Sequence, residues 1–340
     1  MSKKYDTLVL IGRFQPFHAA HLEIVKRATA LCDQLVIIVG SANQPRTYKN
    51  PFTFEERKAM IKIATSGLAI QIYVEPNTDT MYNDQAWAVR VQGIVSKYRG
   101  GGAGGCGIIG HKKDMSSSYL DMFPQWSLEE VDEIEPLSAV NIRDLYFKRG
   151  ANMEFIRGVV PRTTFEFLSE FWKMDAYHQI IKEREFIIEH NKQYASLKYP
   201  PIFSTADAIV ICSGHVLMIK RRAEPGRGLW ALPGGYVNAN TDKTVEDAAI
   251  RELREETMIK VPAPVLRGNI KRSKVFDAID RSPRGRIITH AFFIQLPDGE
   301  LPKVKGSDDA EKARWVPIAE VKSEECFEDH YEIIMSFLGA

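Results

Sequence analysis

Short apolar runs alternate with amphipathic stretches over the first third of the chain. The apolar runs lie at residues 8–11, 35–39, 70–74 and 107–109, and the stretches at 22–31, 55–64 and 85–95 have helical spacing. Strands that alternate with helices in this way are typical of βαβ units, which build a parallel sheet. The pattern predicts an α/β domain with a doubly wound parallel sheet that binds ligands at the carboxyl ends of its strands.

The pattern changes twice beyond this domain. Residues 147–199 are helical and amphipathic, and their aromatic-rich apolar stripe predicts a core rather than a cofactor pocket. The stripe consists of Phe165, Leu168, Phe171, Trp172, Ile180, Ile181, Phe186 and Ile187. After Tyr199-Pro200-Pro201, strand-like runs return at 206–212, 216–221 and 288–296 around a single helix. We predict a first domain over residues 1–176, a helical linker over 177–200 and a second domain over 201–340.

Composition and charge narrow the class of partner. The 340 residues suffice for two domains, and 44% hydrophobic with 26% charged residues is usual for a globular protein. A net charge of +1 argues against nucleic acid or a membrane as the main partner and leaves small anionic ligands. The four cysteines are far apart and suit a reduced compartment. With no signal-peptide pattern and no bilayer-length apolar run, we expect a cytoplasmic protein, and the sequence leaves a homo-oligomer open.

An acidic cluster follows a glycine turn in the second domain. Glu252, Glu255 and Glu256 share one face of a predicted helix, and Leu232-Pro233-Gly234-Gly235 precedes it. Mg²⁺ prefers carboxylate oxygens together with substrate phosphates, so the cluster is a candidate metal site. The alternative is a solvated acidic face with interleaved arginines as counter-charges.

The first strand is followed by Gly12-Arg13-Phe14-Gln15-Pro16-Phe17-His18-Ala19-Ala20-His21. A helix that begins here presents free N–H groups and the positive end of its dipole, which makes the turn a candidate phosphate site. Both histidines lie within one turn of that terminus. A His-x-x-His pair alone is also compatible with surface histidines or a metal site.

The whole string resembles the His-x-Gly-His signature of adenylyltransferases, and its Gly-Arg-Phe-Gln-Pro-Phe-His form resembles archaeal-type nicotinamide mononucleotide (NMN) adenylyltransferases. Residues 138–143 are similar to the Ser-Ser-Thr-x-Ile-Arg motif of that family. The resemblance implies synthesis of NAD from ATP and NMN, with His18, His21 and Arg143 as catalytic residues. It implies ATP contacts at Gly12, Arg13, Phe14, Gln15, Gly110, Lys112, Lys113, Asp114, Ser138, Ile142 and Arg143, and NMN contacts at Gly40, Asp79, Tyr82 and Trp87. Trp87 as a core residue, Arg143 as a surface ion pair and Lys112-Lys113 as a solvated strand end are the alternatives. Departures from the motifs are Ala20 for glycine and Ala139-Val140 for serine and threonine.

The stretch from the glycine turn to Glu256 resembles the Nudix box. The order of the parts, with Phe-Pro-Gln-Trp at 123–126 and Lys-Tyr-Pro-Pro at 198–201, is similar to the bifunctional NMN adenylyltransferase/Nudix hydrolase family. That family implies a C-terminal α/β/α Nudix domain that hydrolyses ADP-ribose to AMP and ribose 5-phosphate. The resemblance implies that Glu252, Glu255 and Glu256 bind Mg²⁺, with Mn²⁺ as the alternative, and that Glu256 is a catalytic residue. It also implies that ADP-ribose is contacted by five residues: Arg221, Gly235, Arg284, Arg286 and Asp309. Departures are a loop two residues longer at 238–242, Lys243 where a glutamate is expected, and Met258 for glycine.

Two alternatives from other classes remain at this point. The altered loop is compatible with a Nudix domain that senses ADP-ribose or NAD without cleaving it, although the retained glutamates argue against this. The His-x-x-His pair is also compatible with transfer of a nucleotide to another acceptor, such as a phosphopantetheine or a flavin precursor. The sequence therefore predicts ATP, NMN, NAD and ADP-ribose as small-molecule partners, without nucleic acid or membrane.

Overall fold

The computed structural model describes residues 3–99, 105–112, 115–132, 138–307 and 310–339. The chain divides into two compact units, Met1–Ile181 and Lys182–Ala340. The division falls inside one long helix, so residues 177–200, predicted as a linker, are shared between the units. No helix within the described ranges is long and apolar enough to cross a bilayer.

Unit 1 is built on a five-stranded parallel sheet of order β3-β2-β1-β4-β5. Its strands are β1 (Tyr5–Gly12), β2 (Cys32–Val39), β3 (Gln71–Pro76), β4 (Cys106–Gly110) and β5 (Ser127–Glu130). Its helices are α1 (Ala19–Leu31), α2 (Phe54–Ala64), α3 (Asp84–Ser96), α4 (Ala139–Tyr146), α5 (Met153–Val159), α6 (Arg162–Phe171) and the start of α7 (Asp175–Lys192), with a 3₁₀ helix at Met115–Met122. The strand order reverses between β1 and β4, which places the expected ligand crevice at their carboxyl ends.

Both faces of the central strands β1, β2 and β4 are covered, as their apolar runs predict. Successive residues of a strand point to opposite faces. Leu8 and Leu10 of β1 therefore join one core cluster, while Val9 and Ile11 join the other. The predicted aromatic stripe of the helical layer is only partly core, because Trp172 is 40% exposed.

Unit 2 is a mixed sheet of order β10-β11-β6-β7-β12, with β8 paired to β7 and β9 to β6. Its strands are β6 (Ile202–Cys212), β7 (His215–Arg221), β8 (Trp230–Ala231), β9 (Gly234–Tyr236), β10 (Ile270–Phe276), β11 (Arg286–Gln295) and β12 (Ala310–Pro317). Its helices are the rest of α7, then α8 (Val245–Thr257), α9 (Ala263–Gly268) and α10 (His330–Leu338), with 3₁₀ helices at Ile318–Glu320 and Ser323–Glu325. The prediction of a single helix in this domain is thus incomplete, because it missed α9 and α10.

Alternation along β11 places α8 and α10 on opposite faces of the sheet. Phe292 packs in one cluster with Ala248 and Ala249 of α8. The ring of Phe293 stacks on that of Phe337 in α10, with 5.6 Å between centroids. Unit 2 is therefore an α/β/α sandwich.

Two candidate active sites

The loop after β1 is held by its own side chains. Phe14 has a left-handed backbone (φ 53°), and its ring covers Gly12, where a Cβ would lie 2.9 Å from Cζ of Phe14. The Gln15 amide exchanges two 2.9 Å hydrogen bonds with the main chain of Phe52. Since the Phe14 and Gln15 side chains are buried, any contact of these two residues with a ligand goes through the main chain.

His18 and His21 meet at the start of α1. The N–H of His18 donates to Nδ1 of His21 at 3.3 Å, and the ring centroids are 3.7 Å apart. Nδ1 of His18 is buried without a hydrogen-bond partner. Burial lowers the pKa of His18 to about 4, and burial together with the neighbouring His18 lowers the pKa of His21 well below its usual value. Both imidazoles are therefore neutral at neutral pH, and since Nδ1 of His21 accepts, its proton is on Nε2.

Arg143 comes from α4 and approaches the same loop. Its Nη1 donates to the carbonyl of Gln15 at 2.9 Å, and its Nε is buried without a partner. Burial lowers the pKa of the guanidinium to about 10, so it stays charged at neutral pH. Ser138 and Ile142, also predicted to contact ATP, lie on the same segment. The Ser138 hydroxyl caps α4 by accepting from the N–H of Asn141, and the Ile142 side chain is fully buried in the core.

The residues predicted on the NMN side lie partly next to this loop. The N–H of Gly40 donates to the carbonyl of Gly12 at 2.9 Å, and the N–H of Ser41 to Oδ1 of Asp79 at 3.1 Å. Trp87 is half-buried at the rim of a core cluster, 6.1 Å from Phe123 and 6.4 Å from Tyr119 between ring centroids.

The structure shows fewer contacts for the other residues of unit 1 that were predicted to bind ATP or NMN. Tyr82 is half-buried, and Arg13 is exposed. Gly110 ends β4, and Nζ of Lys112 is 2.9 Å from a carboxylate oxygen of Asp121. Lys113 and Asp114 lie outside the described residues.

A cleft of about 250 Å³ in unit 2 gathers most of the other predicted residues. It is lined by Arg221, Gly235, Glu252, Glu256 and Arg284 from the prediction, together with Asp207, Glu328 and His330. Glu255 and Arg286 are not among the residues that line it. Arg286 lies 3.8 Å from the carboxylate of Asp277. Asp309 is outside the described residues.

The glycines of the turn leave room for carboxylates. A Cβ on Gly234 would lie 2.1 Å from Oδ1 of Asp207, and one on Gly235 would lie 2.6 Å from Oε1 of Glu252. The N–H of Gly234 donates to Oε2 of Glu256 at 2.9 Å. Asp207 therefore favours glycine at 234 and Glu252 favours glycine at 235, while Glu256 contacts only the main chain of Gly234.

Arg251 holds two of the three predicted metal ligands. Its Nη1 donates to Oε1 of Glu252 at 2.8 Å and to Oε2 of Glu255 at 2.9 Å, while Glu256 faces the glycine turn. Within the described residues, no three acidic, histidine or cysteine side chains are grouped tightly enough to hold a metal ion. The donor set is nonetheless all carboxylate, and carboxylate oxygens suit a hard divalent cation. Burial raises the pKa of Glu256 to about 8 and also raises that of Glu252, although Arg251 contacts Glu252.

The altered loop supplies an acid that sequence reasoning missed. Asp242 contacts Arg251 through Oδ1 to Nε at 2.9 Å and Oδ2 to Nη2 at 2.8 Å. Lys243, one residue later, is exposed and is not part of the cleft lining. The one-residue offset between an expected glutamate and Asp242 was the only signal.

The segment Phe327–His330 forms a cleft wall that the sequence did not reveal. The Arg221 guanidinium lies 3.9 Å above the Phe327 ring, and Nη2 of Arg284 is 3.3 Å from Glu328. The buried Nδ1 of His330 accepts from the N–H of Leu232 at 2.8 Å, which fixes the start of the glycine turn. The sequence of this segment contains no motif that indicates a site, and the segment is far along the chain from the glycine turn and α8.

Family models match both units. The model described as NUDIX domain matches residues 203–337, and the model described as Cytidylyltransferase-like matches residues 9–86. A nicotinamide/nicotinic acid mononucleotide adenylyltransferase of Acinetobacter baylyi is 37% identical over 52% of this chain and 92% of its own length. An ADP-ribose pyrophosphatase of Methanocaldococcus jannaschii is 32% identical over 47% of this chain and 83% of its own.

Solved structures match the whole chain. A bifunctional NMN adenylyltransferase/ADP ribose pyrophosphatase from Francisella tularensis has a TM-score of 0.90 at 34% identity, covering 98% of this chain and 99% of that one. A structure of such a bifunctional protein from the same organism, complexed with AMP and an Mn ion, has a TM-score of 0.89 at 33% identity with the same coverage.

Proposed function

The chain belongs to the family of bifunctional NMN adenylyltransferases/ADP-ribose pyrophosphatases, and on that premise we propose how its two units divide the work. Unit 1 transfers the adenylyl group of ATP to NMN, giving NAD and pyrophosphate. Unit 2 hydrolyses ADP-ribose to AMP and ribose 5-phosphate. Membership confirms the family, the fold and the pair of activities predicted from the sequence. The assignment of individual residues is our proposal.

For unit 1, the observation that carries the proposal is the pair of neutral histidines at the N-terminus of α1. A phosphate oxygen of NMN can attack the α-phosphorus of ATP directly, so that the protein has to align the reactants and neutralise charge. We assign His18 and His21 as N–H donors to the phosphates, and Arg143 as the cation beside them. Trp87 is assigned to the nicotinamide because an aromatic face attracts a cationic ring.

For unit 2, the proposal rests on the acidic side chains packed around Gly234 and Gly235. Glu252, Glu255 and Glu256 would hold a divalent cation, which we propose to be Mg²⁺ with Mn²⁺ as a substitute. Such an ion neutralises the pyrophosphate and lowers the pKa of bound water. Glu252 and Glu255 must turn away from Arg251 for this. Arg221 and Arg284 are assigned to the anionic substrate.

The sensing alternative for unit 2 has lost its main support. It depended on Lys243 pointing toward the glutamates, where its ammonium would compete with a metal ion. Lys243 is exposed, and Asp242 instead binds the arginine that interleaves the glutamates. We therefore propose that unit 2 is a hydrolase. We also propose that the protein acts in the cytoplasm on small molecules.

Chromatography of reaction products tests both activities on the wild-type chain. Incubation of ATP with NMN and Mg²⁺ should give NAD and pyrophosphate, and incubation of ADP-ribose with Mg²⁺ should give AMP and ribose 5-phosphate. Parallel incubations with nicotinic acid mononucleotide, phosphopantetheine and flavin mononucleotide identify the acceptor. Binding of ADP-ribose without products would reinstate the sensing alternative.

A further inference from the structure

Arg57 is a buried cation that is bound by main-chain carbonyl groups. Its side chain is 1% exposed. Nη1 donates to the carbonyls of Arg13 at 2.8 Å and Gly40 at 2.6 Å, Nη2 donates to Ser41 at 3.0 Å, and Nε donates to Thr53 at 3.2 Å. Among the residues that the structure describes, no carboxylate forms an ion pair with it. These hydrogen bonds of the guanidinium therefore all go to main-chain carbonyl groups.

Three of the four acceptors lie on two loops at the expected ligand crevice, and the fourth, Thr53, is the N-cap of α2 itself. Arg13 belongs to the loop after β1, which leads to His18, and Gly40 and Ser41 form the loop after β2. The second loop in turn binds Asp79, through the N–H of Ser41 at 3.1 Å. Arg57 thus ties the loop of the histidines to the loop that holds a residue of the proposed NMN side.

The geometry of the guanidinium suits this task better than a lysine would. Its planar fork directs donors from three nitrogens, whereas an ammonium is a single point with three donors. Burial lowers the pKa of Arg57 to about 10, so the group is charged at neutral pH. The carbonyl dipoles offset part of the desolvation that burial imposes.

We propose that Arg57 is a positioning residue for adenylyl transfer, which touches neither substrate but fixes the relative position of the loops after β1 and β2. This inference rests on the proposed function of unit 1. Misplacement of reacting groups by about 1 Å can lower a rate about 100-fold, so loss of this tie should be measurable.

The test compares Arg57→Lys and Arg57→Met with the wild type and with Tyr177→Phe. Tyr177→Phe removes a buried hydrogen bond from the hydroxyl to the Tyr146 carbonyl, 2.8 Å long, in the helical layer of unit 1. It serves as the control for loss of stability alone. For each protein, kcat and KM for ATP and NMN are measured at a temperature where circular dichroism shows a folded chain. ADP-ribose hydrolysis in the same samples reports on unit 2.

We expect kcat/KM of NAD synthesis to fall about 10–100-fold in both Arg57 variants, with KM raised for both substrates and hydrolysis unchanged. Tyr177→Phe should keep wild-type KM values. Wild-type kinetics in Arg57→Lys, unchanged KM values in both variants, or failure of both variants to fold would overturn the proposal. Absence of NAD synthesis in the wild type would instead remove the proposed function of unit 1.

Discussion

Arg251 and Asp242 form a two-point ion pair, with Nε–Oδ1 and Nη2–Oδ2 distances of 2.9 and 2.8 Å. The Asp242 side chain is 3% exposed. Arg251 also contacts Glu252 and Glu255, and its Nη2 donates to the Tyr236 carbonyl at 3.2 Å, so Asp242 helps to position the arginine relative to the proposed metal ligands. The lengthened loop therefore supplies an acid from the position before Lys243.

Asp242→Asn should impair unit 2. Loss of a charged partner of Arg251 should reduce ADP-ribose hydrolysis about 10–100-fold, the range for residues that orient metal ligands. It should also lower the free energy of unfolding by about 1–3 kcal/mol. Lys243→Glu is the matched control and should leave hydrolysis within about two-fold, because Lys243 is exposed. A larger gain of hydrolysis in Lys243→Glu than loss in Asp242→Asn would contradict this account.

Gly235→Ala should inactivate unit 2 with little loss of stability. The new Cβ would lie 2.6 Å from Oε1 of Glu252, which is the end of a flexible side chain and can move away. Glu252 would then leave its position, and metal-dependent hydrolysis should fall about 100-fold or more, while NAD synthesis continues. In the control Gly268→Ala, the new Cβ has no neighbour within 4 Å, so wild-type hydrolysis is expected. Steady-state assays of the two variants decide the matter, and an active Gly235→Ala would remove Glu252 from the site.

Met258→Gly should stabilise the protein. Met258 ends α8 in the left-handed region (φ 46°, ψ 31°), which favours glycine, and its side chain is 43% exposed. Relief of this conformation is worth about 1–2 kcal/mol, less about 0.4–1 kcal/mol for the greater freedom of glycine in the unfolded chain. Chemical denaturation should therefore show a gain between about 0 and 1.6 kcal/mol in the free energy of unfolding. A loss would mean that Met258 contributes packing that its exposure conceals.

Unit 1 should lose stability in acid partly because of His18. The folded pKa of His18 is about 4 and the unfolded value about 6.5, so between these values the unfolded chain binds the additional proton. The contribution of His18 to the free energy of unfolding is fully present above pH 6.5 and is lost as the pH falls toward 4. This loss amounts to a few kcal/mol at most. Denaturation of His18→Gln between pH 4 and 7 should show a weaker pH dependence than the wild type. His178→Gln changes an exposed histidine of α7 and should keep the wild-type dependence. Equal slopes in all three proteins would show that His18 does not titrate as described.

The sequence predicted β1, β2, β3 and β4 because each contains a short apolar run, and such a run in a parallel sheet is buried. It missed β5, whose residues Ser-Leu-Glu-Glu include only one apolar side chain. It also grouped Gly235 with Glu256, and both line one cleft, since the glycine turn and the helix are close in the chain. Helices α9 and α10 were missed because α9 is short and α10 is separated from the box by several strands.

Other features depend on contacts that no local pattern encodes. Asp242 was missed because its role depends on how the longer loop folds back on α8. Arg57 looks like any arginine in the first turn of a helix, and only the structure shows that its guanidinium points inward. The wall at Phe327–His330 is distant in sequence from every motif, so its contact with the glycine turn is a property of the tertiary fold.

The central claim is that two separate sites in one chain perform two reactions. The most direct measurement is product chromatography for wild type, His21→Ala and Glu256→Gln, each incubated with ATP plus NMN and, separately, with ADP-ribose. His21→Ala should lose NAD synthesis about 10²–10³-fold, the range for one preorganised donor, and keep hydrolysis. Glu256→Gln should lose hydrolysis and keep NAD synthesis. Loss of both activities in either variant, or retention of both, would contradict the account.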